Sequence, residues 1–189
     1  GQALNDSQAQ LDASRADTER QLAQTQAQLD AGKTGAQQGL EQAQAAQAAA
    51  AAQLPEALTP LWEAWKAAAS AAWSAVGQLS VQTESLQTQL DALAADDPQR
   101  AQLQSQLDGL NDQLAQATAA AQSDPDTAAA RQAFESAAAG LLPAETLAQL
   151  DTLARGLGTA QGAVDGMAVQ QAAFDEQAAA ARAQLDAAQ

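Results

Sequence analysis

Large apolar residues are sparse in this chain, and their intervals are helical. Toward the start they fall at Leu11, Leu22, Leu29, Leu40 and Leu54. Read backwards from the other end, they fall at Leu185, Phe174, Met167, Leu157 and Leu142. Paired in that order, the position numbers total 196 in four pairs and 197 in the fifth. Two helices side by side in opposite directions require such a constant, and intervals of 7 and 11 belong to coiled coils. The pattern predicts a long antiparallel pair made by the two ends of the chain. A second antiparallel pattern sits inside it: Leu90 with Leu103, Leu86 with Leu107 and Leu79 with Leu114 centre a turn at Asp96-Asp97. That hairpin could fold against the long pair or project beyond it.

Breakers set the boundaries. Pro55, Pro60 and Leu142-Pro143 bracket a head region. Within it, Asp97-Pro98 and Asp124-Pro125 each read as an N-cap followed by proline in the first helical turn, as does Thr59-Pro60. Gly140 suits a helix C-terminus. Five helices are predicted, over about 2–54, 60–95, 98–122, 125–139 and 143–188. The expected architecture is all-α. Residues 1–54 and 143–189 form an antiparallel two-helix coiled-coil stalk, and 55–142 form a smaller helical head containing the second hairpin.

Two groups of residues need separate attention. Gly32, Gly35 and Gly39 are predicted to face the stretch holding Gly156, Gly158, Gly162 and Gly166, the last three at i+4 spacing along one helix face. They allow either close backbone approach with a local bend or a hinge in the stalk. Trp62, Trp65 and Trp73 form the bulkiest cluster in the chain. They are either a small core with Leu58, Leu61, Phe134 and Leu141 around it, or an exposed patch for a partner.

Composition fits thin seams. Alanine supplies 55 of the 189 residues, glutamine 32 and leucine 23; apart from alanine only 33 large apolar residues remain. A sheet would need the β-branched and aromatic residues that are nearly absent. The formal net charge is −15, with eight scattered basic residues. That excludes nucleic acid as a partner, because its binding rests on Lys and Arg neutralising phosphates. No histidine and no cysteine occur. Thiol nucleophiles, Ser-His-Asp arrangements and the usual zinc, haem and iron–sulfur ligand sets are therefore out of reach. No apolar run approaches the ~18 residues of a membrane span, and no signal peptide is visible. The start at Gly1, with helical pattern running to both ends, reads as an excised fragment.

Little else points to chemistry. Gly32-Lys33-Thr34 ends like a phosphate-binding loop, but Ala27 stands where that loop needs its first glycine. Gly156-Leu157-Gly158 begins like a dinucleotide fingerprint, but Gln161 replaces the third glycine. Asn5-Asp6-Ser7 matches a glycosylation triplet. The acids Asp96, Asp97, Asp124 and Asp126 lie at helix starts, where capping and the macrodipole favour them. No catalytic residue, metal site or cofactor is expected.

Three stretches share a phrase: SQAQLDASRA at 7–16, AQTQAQLDAGKTGAQQGLEQAQ at 23–44 and RAQLDAAQ at 182–189. This wording resembles the extracytoplasmic coiled-coil insertions of bacterial FtsX-like ABC transporter permeases; stalks of YhgE/Pip-type membrane proteins are similar. The resemblance covers roughly half the chain, and the head 55–142 carries none of it. It implies a non-catalytic module on the extracytoplasmic face of a bacterial membrane, joined at both ends to membrane spans, with the ATPase separate. Such a module would contact a partner protein, a substrate or a cell-envelope component. Residues 41–53 depart from the family wording, with alanine where a large apolar residue is common. The pairing there is thin, which makes a homodimer a candidate source of further burial. Two other classes share this composition: the α-helical hairpin of a periplasmic adaptor protein in an efflux or secretion system, and a free helical protein such as a secreted or tail-fibre component.

Overall fold

The computed structural model describes residues 2–187, with side chains described from Gln8 to Ala187. The side chains of the Asn5-Asp6-Ser7 triplet lie outside that range. The fold is all-α among the described residues: α1 (Gln2–Ala51), a 3-10 turn (Glu56–Leu58), α2 (Thr59–Ala92), α3 (Arg100–Gln122), α4 (Pro125–Ala138) and α5 (Ala144–Ala187). None of these helices is long and apolar enough to cross a membrane.

The boundaries follow local chemistry. Asp124 caps α4, its Oδ2 accepting the Thr127 N–H at 2.7 Å, with Pro125 in the first turn. Gly140 has φ +77°, the left-handed conformation that ends a helix at low cost for glycine. Two expected caps work differently. Thr59 is already helical, so α2 starts without a side-chain cap and follows directly from the 3-10 turn. Asp97 Oδ1 accepts the Gln99 N–H at 2.8 Å, making a turn before α3, which begins at Arg100 and not at 98. Arg100 closes this corner by donating from Nη1 to the Leu90 and Leu93 carbonyls, both at 2.9 Å, and so satisfies the end of α2.

The chain divides into two units, one of Gly1–Gly35 with Met167–Gln189 and the other of Ala36–Gly166. In the first, α1 and α5 are antiparallel. Gln26 and Gln171 exchange side-chain hydrogen bonds in both directions, at 3.2 and 3.0 Å. Nearer the ends, the Arg15 guanidinium lies 4.0 Å from the Asp186 carboxylate. Leu29, Met167 and Ala178 are buried, Leu22, Phe174 and Leu185 half-buried, and Leu11 exposed. All but Ala178 are residues whose spacing predicted the pair. The Met167 thioether packs into the notch left by Gly32, where a Cβ would lie 2.6 Å from the methionine Cε.

The second unit is organised on α2. α3 folds back along it as the expected hairpin and α4 packs on it as well. Leu90 and Leu107 are buried, with Leu79, Leu86, Leu103, Leu110 and Leu114 half-buried. On another side α2 runs parallel to the 144–166 segment of α5: Ser70 meets Gly158, Ser74 meets Gly162 and Gln78 meets Gly166. This corrects the expected glycine pairing. Gly158, Gly162 and Gly166 pack against α2, not against the glycines of α1, and Gly35 and Gly39 have nothing within 4 Å of a built Cβ. The approach is close enough to require glycine. A Cβ on Gly162 would lie 1.9 Å from the Ser74 carbonyl oxygen, and one on Gly77 would lie 2.0 Å from that of Thr159.

Candidate functional site

The second unit places the tryptophans through helical spacing. Trp62, Trp65 and Ala69 share one face of α2, which meets Phe134 and Ala138 of α4, Leu150 and Ala154 of α5, and Leu58 from the 3-10 turn. Trp62, Trp65 and Phe134 are each 0 % exposed. Their rings meet edge to face or tilted, with centroids 5.4–6.3 Å apart, geometry in which the positive ring edge meets a negative face. The core alternative therefore holds for these two tryptophans, which are covered by their neighbours. Leu141 was expected among their neighbours but is 60 % exposed, because the left-handed turn at Gly140 sends it away from the core.

Trp73 lies apart from that cluster. It is half-buried on the face toward α5, with its Cβ 3.0 Å from a Cβ built on Gly158, and the Arg155 guanidinium sits 5.3 Å from the ring centroid. Arg155 also pairs with Asp151 one turn back. Asp151 lies 3.8 Å from Arg131, whose Nε donates to Glu135 at 2.6 Å and whose guanidinium stands 6.0 Å from the Trp65 ring centroid. The hydrogen bond to Glu135 raises the Arg131 pKa further. Two arginines and two acids thus clasp α4, α5 and α2 around the rim of the aromatic core. Sequence reading missed this clasp. Its trace was the i+4 pairs Arg131/Glu135 and Asp151/Arg155, which read as ordinary helix-surface pairs.

A groove of about 510 Å³ opens beside the core, with Gln44, Gln47, Trp62, Lys66, Ser70 and Gln161 among its walls. Gln47 is almost fully buried and donates from Nε2 to the Leu153 carbonyl at 3.0 Å, which ties α1 to α5 within this unit. Trp62 Nε1 and Ser70 Oγ have no hydrogen-bond partner among the described residues, but neither does Trp65 Nε1, which is not among the residues lining the groove. Unpartnered indoles are therefore a property of the aromatic core and not a signature of the groove.

The other sequence candidates fall in unreactive places. Gly32-Lys33-Thr34 and Gly156-Leu157-Gly158 lie inside continuous helices, where backbone N–H groups are engaged in the helix and form no phosphate cradle. Asp124 is a cap and Asp97 a turn acceptor; Asp96 and Asp126 are exposed. Among the described residues, no group of three or more metal-ligating side chains comes together. No family model, curated protein or solved structure matches this chain.

Proposed function

We propose that this chain is a non-catalytic interaction module, the extracytoplasmic coiled-coil domain of a bacterial ABC-type permease of the FtsX-like kind. Its parent protein would be membrane-embedded and its ATPase separate. The observation that carries the reading is the antiparallel pairing of α1 with α5 from Gln26/Gln171 out to Arg15/Asp186. A chain that enters along α1 and leaves along α5 at the same end suits an insertion between two membrane spans. The shared AQLDA wording of those two helices supports the same reading. An aromatic core clasped by arginine–acid pairs would give residues 36–166 a firm body for contact with a partner protein or cell-envelope component.

The test is the encoding gene on both sides of this segment. Apolar stretches of ~18 residues or more immediately before and after it, with an adjacent ATPase gene, are the expected finding. Flanking β-rich lipoyl-like halves would replace this reading with that of a periplasmic adaptor hairpin. Neither kind of flank would sink both.

A further inference from the structure

The helical glycines of this chain sort into two kinds by what a Cβ would meet. Gly77, Gly158, Gly162 and Gly166 touch the backbone of a neighbouring helix, and Gly32 holds the Met167 side chain. Packing accounts for all five. Gly35 and Gly39 have open space around them, are exposed, and stand four residues apart near the middle of the 50-residue α1. Each weakens the helix about fivefold relative to alanine, and no contact compensates.

One further observation bears on the same turns. No residue between Leu29 and Gln47 is buried; only Ala36, Leu40 and Ala43 beyond Lys33 are even half-covered. α5 carries a single open glycine, Gly156, and no pair of them, since Gly158, Gly162 and Gly166 are held against α2.

We propose that residues 35–39 are a soft turn in α1, where the helix opens and bends while the packed residues on either side, Leu29 and Gln47, keep their contacts. The inference is independent of what flanks the chain and of any membrane role.

Hydrogen exchange of the full 189-residue chain, read by mass spectrometry, tests it. The amides of residues 36–43, whose helix bonds cross the glycine pair, are expected to exchange at least tenfold faster than those of 22–29 and 46–51. In the double variant Gly35→Ala, Gly39→Ala that window should slow about 25-fold, two fivefold factors combined, with less than about threefold change in the flanks. Gly109, a helical glycine in open space within α3, supplies the control. Gly109→Ala should leave the α1 window unchanged. Equal protection of window and flanks in the unaltered chain would overturn the proposal without any variant. Even slowing along all of α1 in the double variant, or slowing of the window by Gly109→Ala, would overturn it as well.

Discussion

The two units hold their helices together by different means. In residues 36–166, α2 and α5 approach until backbone touches backbone, on Gly77, Gly158 and Gly162 against serine and threonine positions. Beside that seam, two tryptophans and a phenylalanine fill the space that the small residues leave. In residues 1–35 and 167–189, the α1–α5 seam has few large side chains, a glutamine pair and one methionine in a glycine notch. Buried area per turn is correspondingly small there. Few large apolar residues can therefore build a stable body when they are gathered and the remaining contact is backbone on backbone. Spread along a seam, the same residues make a helix pair whose cohesion rests on single positions.

The sharpest way to break the contrast is to empty the gathered core. Trp65→Ala should cost about 3–5 kcal/mol, because the cavity is walled by helices fixed at the α2–α5 seam and collapses poorly. Urea denaturation followed by circular dichroism measures it. A loss under about 1 kcal/mol would mean that the aromatic cluster is not what holds this unit.

Next comes the seam. Gly162→Ala puts a methyl group against the Ser74 backbone, which forces α2 and α5 apart. Overpacking of this kind costs about 1–3 kcal/mol, more than the helix gains from alanine. The substitution should therefore destabilise, although Gly→Ala in a helix ordinarily stabilises. A neutral or raised denaturation midpoint would show that the close approach is not required.

For the sparse seam, Leu29→Ala should cost about 2–3 kcal/mol locally. All three tryptophans lie in 36–166, so their fluorescence reports that unit, while circular dichroism at 222 nm reports both. The expected result is a helix-loss phase at lower urea in Leu29→Ala, with the fluorescence transition nearly unmoved. Coincident shifts of both probes would show that the two units unfold as one.

Much of this contrast was legible before any coordinates. The constant position totals identified the antiparallel direction of the pair, while the contacts formed, Gln26 with Gln171, Gly32 with Met167 and Arg15 with Asp186, lie up to a turn from the predicted partners because glutamine, methionine and arginine reach along the seam. Asp124-Pro125 and Gly140 marked real helix ends because capping and left-handed φ are decided by adjacent residues. The partner of the Gly158/Gly162/Gly166 face was misassigned. Spacing shows that a face is small but not which helix lies on it, and Ser70, Ser74 and Gly77 carried the complementary spacing unread. The Arg131–Asp151–Arg155 clasp needed three helices in place before its charges met. Trp73 is close to the other tryptophans in sequence, yet the groups opposite it, Gly158 and Arg155, differ from those opposite Trp62.

The smallest expected effect concerns the corner between α3 and α4, where the Asp124 cap starts α4. The Thr127 backbone N–H bonded to Asp124 favours the ionised carboxylate and lowers its pKa below the ordinary 3.8. A lowered folded-state value means that the cap contributes in full above about that ordinary value. The contribution is then lost as pH falls through the lowered one. Asp124→Ala should reduce the denaturation midpoint modestly at pH 7, and the difference from the unaltered chain should shrink by pH 2.5. The other carboxylates also titrate over that range, and the net charge of −15 is shed, but both proteins share those changes, so the difference isolates this one group. If the gap persists unchanged in acid, the carboxylate charge is not what holds the first turn of α4, and Pro125 alone sets that helix start.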